Sequence, residues 1–129
     1  DATICNCNCS ACRRYGVPWA YDYDGHGIQV DDHGGKLTAF VRGPRSPLSF
    51  NFCSACGSMI SWRALVPEAD GRVRIAVNLR LADPEAVARV PLQRFDGLDS
   101  FDDLPRDGRR VCDVWFRAGG LRGPGPGAP

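Results

Sequence analysis

Cys5, Cys7, Cys9 and Cys12 crowd into one short stretch, and two further cysteines bracket the turn Cys53-Ser54-Ala55-Cys56-Gly57, in a chain of 129 residues with seven cysteines in all. No other feature constrains so strongly what such a chain can become. Thiols two or three residues apart can point at one metal ion, and clusters distant in sequence can be closed onto each other by a small fold. The odd count and the C-x-C spacing fit a reduced, cytoplasmic zinc protein better than a secreted disulfide framework, where even counts are the rule.

The two clusters differ in what they can offer. In Cys7-Asn8-Cys9-Ser10-Ala11-Cys12, a C-x-C at a strand end puts two side chains on one face and the turn after it returns a third. Three protein ligands leave one position of a zinc tetrahedron for water or substrate, the arrangement of a catalytic site. Cys53 and Cys56 form a knuckle of two ligands, with Gly57 able to take a left-handed conformation, and need two more ligands from elsewhere. One or two zinc ions per chain are therefore expected. Structural zinc contributes about 10 to 16 kcal/mol in small zinc peptides, comparable to the whole net stability of a domain, about 5 to 15 kcal/mol. The metal-free chain is expected to be poorly folded.

Composition narrows the partners. A net charge of +1, without a long run of like charge, gives no electrostatic footprint for nucleic acid. No apolar run approaches the roughly 20 residues that span a bilayer. The length predicts one domain over residues 1–117, followed by a flexible Gly/Pro-rich tail over 118–129.

Short β-prone runs at 2–7, 19–23, 27–30, 37–41, 48–52, 59–64 and 73–78, punctuated by Gly, Pro and Asp, predict an antiparallel, mainly β domain. Residues 32–35 and 43–47 carry turn chemistry. One short helix is expected over 83–89, with Asp83 as N-cap and Pro84 at the first helical position. A last strand is expected at 92–95, an acidic loop at 99–107, and a strand or extended segment at 111–115, in which Cys112 is a core residue or, alternatively, a metal ligand.

The residues Cys7 to Gly16 (CNCSACRRYG), Trp19-Ala20-Tyr21, Phe52 to Trp62 (FCSACGSMISW), Val77 to Arg80 (VNLR) and Arg94 to Gly97 (RFDG), taken in this order, resemble the glutathione-dependent formaldehyde-activating enzyme family, which includes centromere protein V. The resemblance implies a β-tent of packed antiparallel sheets with two zinc sites: a catalytic zinc on Cys7, Cys9 and Cys12, and a structural zinc to which Cys53 and Cys56 contribute. It also implies carbon–sulfur lyase chemistry that joins formaldehyde to the thiol of glutathione. Family members begin with a further strand carrying C-x-C and Gly, which is missing ahead of Asp1, so the chain is expected to be truncated or its second site to be completed differently.

Several residues keep two readings. Cys5, on the same strand face as Cys7, is either a further metal ligand or a small buried side chain. Arg13 and Arg14 either offset the negative charge of a zinc trithiolate and hold an anionic substrate, or are a solvated pair. Trp19 and Tyr21 are core or pocket wall. His26 and His33, in Gly- and Asp-rich turns, need no special role unless the fold brings one to the metal. Two functions are expected from this pattern: a zinc enzyme acting on a small-molecule thiol or thiol adduct, or a non-catalytic zinc-stabilised binding module if Cys5 closes the first site. Flat β surfaces leave room for a homodimer.

Overall fold

A computed structural model of the chain describes residues 3–32 and 34–115. The strand start expected at Ala2, His33 and the 118–129 tail lie outside the described residues. The protein is mainly β: eight strands form one mixed sheet in the order β3-β4-β5-β6-β2-β1-β7-β8. These are β1 (Ile4–Cys7), β2 (Pro18–Tyr23), β3 (Leu37–Phe40), β4 (Leu48–Cys53), β5 (Met59–Ala64), β6 (Arg74–Asn78), β7 (Leu92–Phe95) and β8 (Asp103–Leu104). Among the described residues, no helix is long and apolar enough to cross a membrane.

Most pairings are antiparallel, as expected, with one exception that matters for the site. β7 lies parallel to β1, with Ile4 opposite Leu92 and Cys7 opposite Phe95, while β2 takes the other flank of β1 with Cys5 opposite Trp19. The first strand is therefore central although it comes first in the chain. Its alternation assigns its two faces: Ile4 joins Val87, Leu92 and Val111 in one apolar cluster, and Cys5 joins Cys12, Trp19, Phe50, Met59 and Ala76 in the larger one.

Register builds the wall of the second face. Tyr21 pairs with Ala76, Ala76 with Trp62, and Trp62 with Phe50, so these four residues form one row across β2, β6, β5 and β4. Directly opposed residues share a face. The small Ala76 lets the rings on either side approach: Tyr21 and Trp62 are 5.7 Å apart between centroids, a distance within the favourable aromatic range.

Several expectations are corrected. Residues 27–30 form no strand; Ile28 makes only an isolated bridge to Asp24. Residues 99–107 are not wholly loop, since β8 pairs with β7 there. Helix α1 (Ser10–Tyr15) follows the first cluster and was not expected. The predicted helix exists as α2 (Pro84–Val87), shorter than 83–89, and Asp83 caps it by accepting from the N–H of Glu85. Residues 111–115 are helix α3 (Val111–Trp115), not an extended segment. The i, i+4 pair Val111 and Trp115 packs on the Ile4 cluster, and the N–H groups of Val111 and Cys112 bond the carbonyls of Val90 and Ala88. Cys112 is half-buried there, its Sγ 3.9 Å from Asp113 Oδ1.

Candidate metal centre

Cys7 ends β1, and the chain turns immediately because Asn8 still bonds the Phe95 carbonyl while Cys9 becomes the N-cap of α1. Cys9 Sγ accepts from the Cys12 N–H in the first turn, the role that Ser or Asp usually fills. Gly16, at φ 65°, ends the helix after one and a half turns with its N–H on the Cys12 carbonyl. The result brings the sulfurs of Cys7, Cys9 and Cys12 within 4.8 Å of one another; among the described residues no other group of three His, Cys, Asp or Glu side chains does so.

Each sulfur receives an N–H. The Cys9 amide lies 3.4 Å from Cys7 Sγ, the Cys12 amide 3.4 Å from Cys9 Sγ, and the indole Nε1 of buried Trp19 3.1 Å from Cys12 Sγ. The Gly97 amide is directed at Cys7 as well. Donors of this kind stabilise thiolate over thiol. The proton that Cys12 donates to Cys7 does most to lower the Cys7 pKa, and the same bond raises that of Cys12. Soft donors within mutual reach, each oriented by a fixed N–H, fit a thiophilic metal ion.

The third side of the centre comes from the loop after β7. A Cβ on Gly97 would lie 2.6 Å from Cys7 Sγ and 3.1 Å from Cys9 Cβ, so only glycine lets this backbone close on the sulfurs. The loop is held by Asp96 and Asn8. Asp96 accepts from Asn8 Nδ2 at 2.9 Å and from the Ser100 amide and hydroxyl at 3.1 and 3.0 Å, while Asn8 Oδ1 accepts from the Leu98 amide at 2.9 Å. These donors, the Asn8 amide first, hold the Asp96 carboxyl at about 2.

The three cysteines lie in the wall of a cavity of about 950 Å³. Trp19 and Tyr21 line it, as does Cys5. Cys5 is not a member of the sulfur trio; burial pushes its thiol up to about 11, partly offset by a hydrogen bond with the Tyr21 hydroxyl. Burial, followed by the neighbouring Cys5, raises the Tyr21 phenol, which therefore keeps its proton at neutral pH.

Arg13 and Arg14 are exposed on α1 and are not part of this lining; Arg13 Nε bonds the Asn8 carbonyl at 2.7 Å. The arginines on the cavity are Arg42, Arg45 and Arg74. Arg42 donates to Ser10 Oγ, in the first turn of α1, at 2.9 Å. Sequence reasoning read residues 43–47 as turn chemistry and so missed the arginines that flank and occupy that turn. It also passed over Asp96 and Gly97 as builders of the centre; the signal available was an Asp-Gly pair at a strand end.

Cys53 and Cys56 occupy the turn between β4 and β5, where Cys56 is exposed with Sγ 3.3 Å from Ser58 Oγ. Among the described residues they meet no third ligand. His26 is exposed, its ring edge-on to Tyr23. No protein-family model, curated protein or solved structure matches the chain.

Proposed function

We propose that the chain is a zinc-dependent carbon–sulfur lyase of the glutathione-dependent formaldehyde-activating type, forming and cleaving the adduct between a small-molecule thiol and a carbonyl compound. Cys7, Cys9 and Cys12 hold the zinc. Bound there, zinc supplies a soft Lewis acid with a position left for the thiol of the substrate. The observation that carries the reading is the composition of the cavity wall: a trio of sulfurs lines a space large enough for a substrate, while Cys5 lines the same space without belonging to the trio.

The chain's own groups have defined tasks. The amides of Cys9, Cys12 and Gly97 and the Trp19 indole fix the sulfurs and keep their lone pairs directed. Aromatic side chains, Trp19 and Tyr21 among them, line the space beside the sulfurs. The reaction balances without redox change: the thiol sulfur bonds the carbonyl carbon, the π pair moves to oxygen, and the thiol proton ends on that oxygen; cleavage is the reverse. Arg42, Arg45 and Arg74 hold the carboxylates of the thiol. Seven free cysteines fit a reducing compartment such as the cytoplasm.

The test is the ligand set together with turnover. X-ray absorption on the zinc-loaded chain should give three sulfurs and one lighter, exchangeable atom, and exchange spectroscopy should show faster interconversion of glutathione, formaldehyde and their adduct. Four sulfurs and no acceleration with any low-molecular-weight thiol would identify a binding module instead.

A further inference from the structure

The cavity is built for more than a one-carbon group. Cavities that bind small molecules span about 300 to 1,000 Å³, and this one, at about 950 Å³, lies at the upper end. Its surface beside the sulfurs is aromatic: the Tyr21, Trp62 and Phe50 row on the sheet, Phe95 opposite Cys7, and Phe101 at the mouth. Three arginines against one aspartate, Asp103, make the charged part of the lining basic.

Phe101 is the second, independent observation. It is the one non-glycine residue at positive φ among the described residues, at 59°, a conformation that bulky side chains rarely adopt. The neighbouring bonds over-determine it: its N–H is on the Asp96 carbonyl at 2.8 Å, Ser100 is fixed by the Asp96 carboxylate, and the Asp96 N–H is on the Asp102 carbonyl at 2.9 Å. The loop that closes on the sulfurs through Gly97 thus also presents Phe101, which is 69% exposed while it borders the cavity. An exposed aromatic held in an unfavourable backbone conformation beside an apolar cavity points to a ligand group that covers it.

We propose that the cavity takes an anionic thiol adduct whose carbon moiety is a bulky apolar group of aryl size, and that Phe101 is a specificity-determining residue that packs on that group. The proposal rests on the thiol-adduct reading above for the position of the sulfur, and it adds the class of the group attached to it. The arginines receive the carboxylates, the trio faces the sulfur, and the aryl group lies between the sheet row and Phe101. A one-carbon adduct would leave the aromatic wall and the Phe101 ring uncovered.

The experiment compares glutathione, S-methylglutathione and S-benzylglutathione on the zinc-loaded chain, with affinity read by calorimetry. S-benzylglutathione is expected to bind at least tenfold more tightly than S-methylglutathione. Phe101→Gly, which accepts φ 59° without strain, should erase most of that ratio while leaving the S-methyl affinity within about twofold, and Phe101→Trp should retain it. Equal affinities for the two thioethers, or a ratio untouched in Phe101→Gly, would overturn the proposal. A chain that prefers the benzyl group yet accelerates no thiol–carbonyl reaction supports this subsite and defeats the lyase reading alone; an active chain indifferent to the group does the reverse.

Discussion

Residues 9–12 and residues 53–56 are the same tetrapeptide, Cys-Ser-Ala-Cys, and they end in different structures. Both close the same backbone bond, from the N–H of Arg13 to the Cys9 carbonyl at 2.9 Å and from that of Gly57 to the Cys53 carbonyl at 2.7 Å. The residue after each turn decides the outcome. Arg13 is helical and the turn continues as α1, carrying Cys12 into the core, whereas Gly57 takes φ 77° and turns the chain back into β5, leaving Cys56 in solvent. The first turn also meets Cys7 from β1, the Gly97 amide and the Trp19 indole; the second meets Ser58. A C-x-x-C is a local geometry that one residue can redirect, and a metal centre needs other segments to converge on it.

The largest expected effect breaks this comparison at its ligands. Cys9→Ser should abolish metal binding at the trio, since a serine oxygen does not replace a thiolate on a thiophilic ion. Cys56→Ser should retain the trio's ion. Cobalt substitution measures both, through the sulfur-to-cobalt charge-transfer band scaled to metal per chain. If the two variants lose the band equally, the turns are equivalent and the distinction is wrong.

The second prediction uses the two glycines. Gly97→Ala places a methyl group 2.6 Å from Cys7 Sγ, and neither that sulfur nor the loop that Asp96 clamps can move without opening the centre. Loss of such supporting contacts costs metal sites about 10-fold to 100-fold in affinity, which competition with a chromophoric chelator should detect. Gly57→Ala meets no atom within 4 Å and should cost only the left-handed strain at φ 77°, about 1 kcal/mol, with metal affinity at the trio unchanged.

The convergence of Cys7, Cys9 and Cys12 was legible in the sequence because C-x-C-x-x-C needs only a strand end and a turn, both local. So were β5 and β7, read at their observed bounds, and the Asp83-Pro84 helix start. What failed was whatever depends on distant partners. The parallel pairing of β1 with β7 joins segments with most of the chain between them, and no turn signal encodes it. Helix α3 reads as an alternating strand, yet Val111 and Trp115 are chosen by the apolar cluster under Ile4. The helix over residues 10–15 was hidden because cysteine and serine are indifferent helix formers and the element is too short for a period to show. Arg13 and Arg14 follow Cys12 and were open to reading as substrate ligands or as a solvated pair; the cavity is instead lined by Arg42 and Arg45, from the loop between β3 and β4, and by Arg74 at the start of β6.

The smallest effect concerns the clamp that distinguishes the first turn from the second. Asp96 has its carboxyl held at about 2 by Asn8 and the Ser100 amide, below the usual value near 4. A carboxylate with a depressed folded pKa adds stability that is fully present above the unfolded value and is lost as pH falls through the folded one. The advantage of wild type over Asp96→Asn should therefore be constant from neutral pH to about 4 and vanish between about 4 and 2. Because the clamp is not deeply buried, the melting difference should be a few degrees at most. Metal release on thiol protonation acts at higher pH and in both proteins alike, so the difference between the two melting curves isolates the carboxylate. A gap that closes already with metal release would mean that Asp96 acts only through the ion, and one that persists at a pH of about 2 would mean that its charge contributes nothing. In an Asn8→Ala background the pH-dependent part of this gap should shrink, since that substitution removes the principal donor to the same carboxylate.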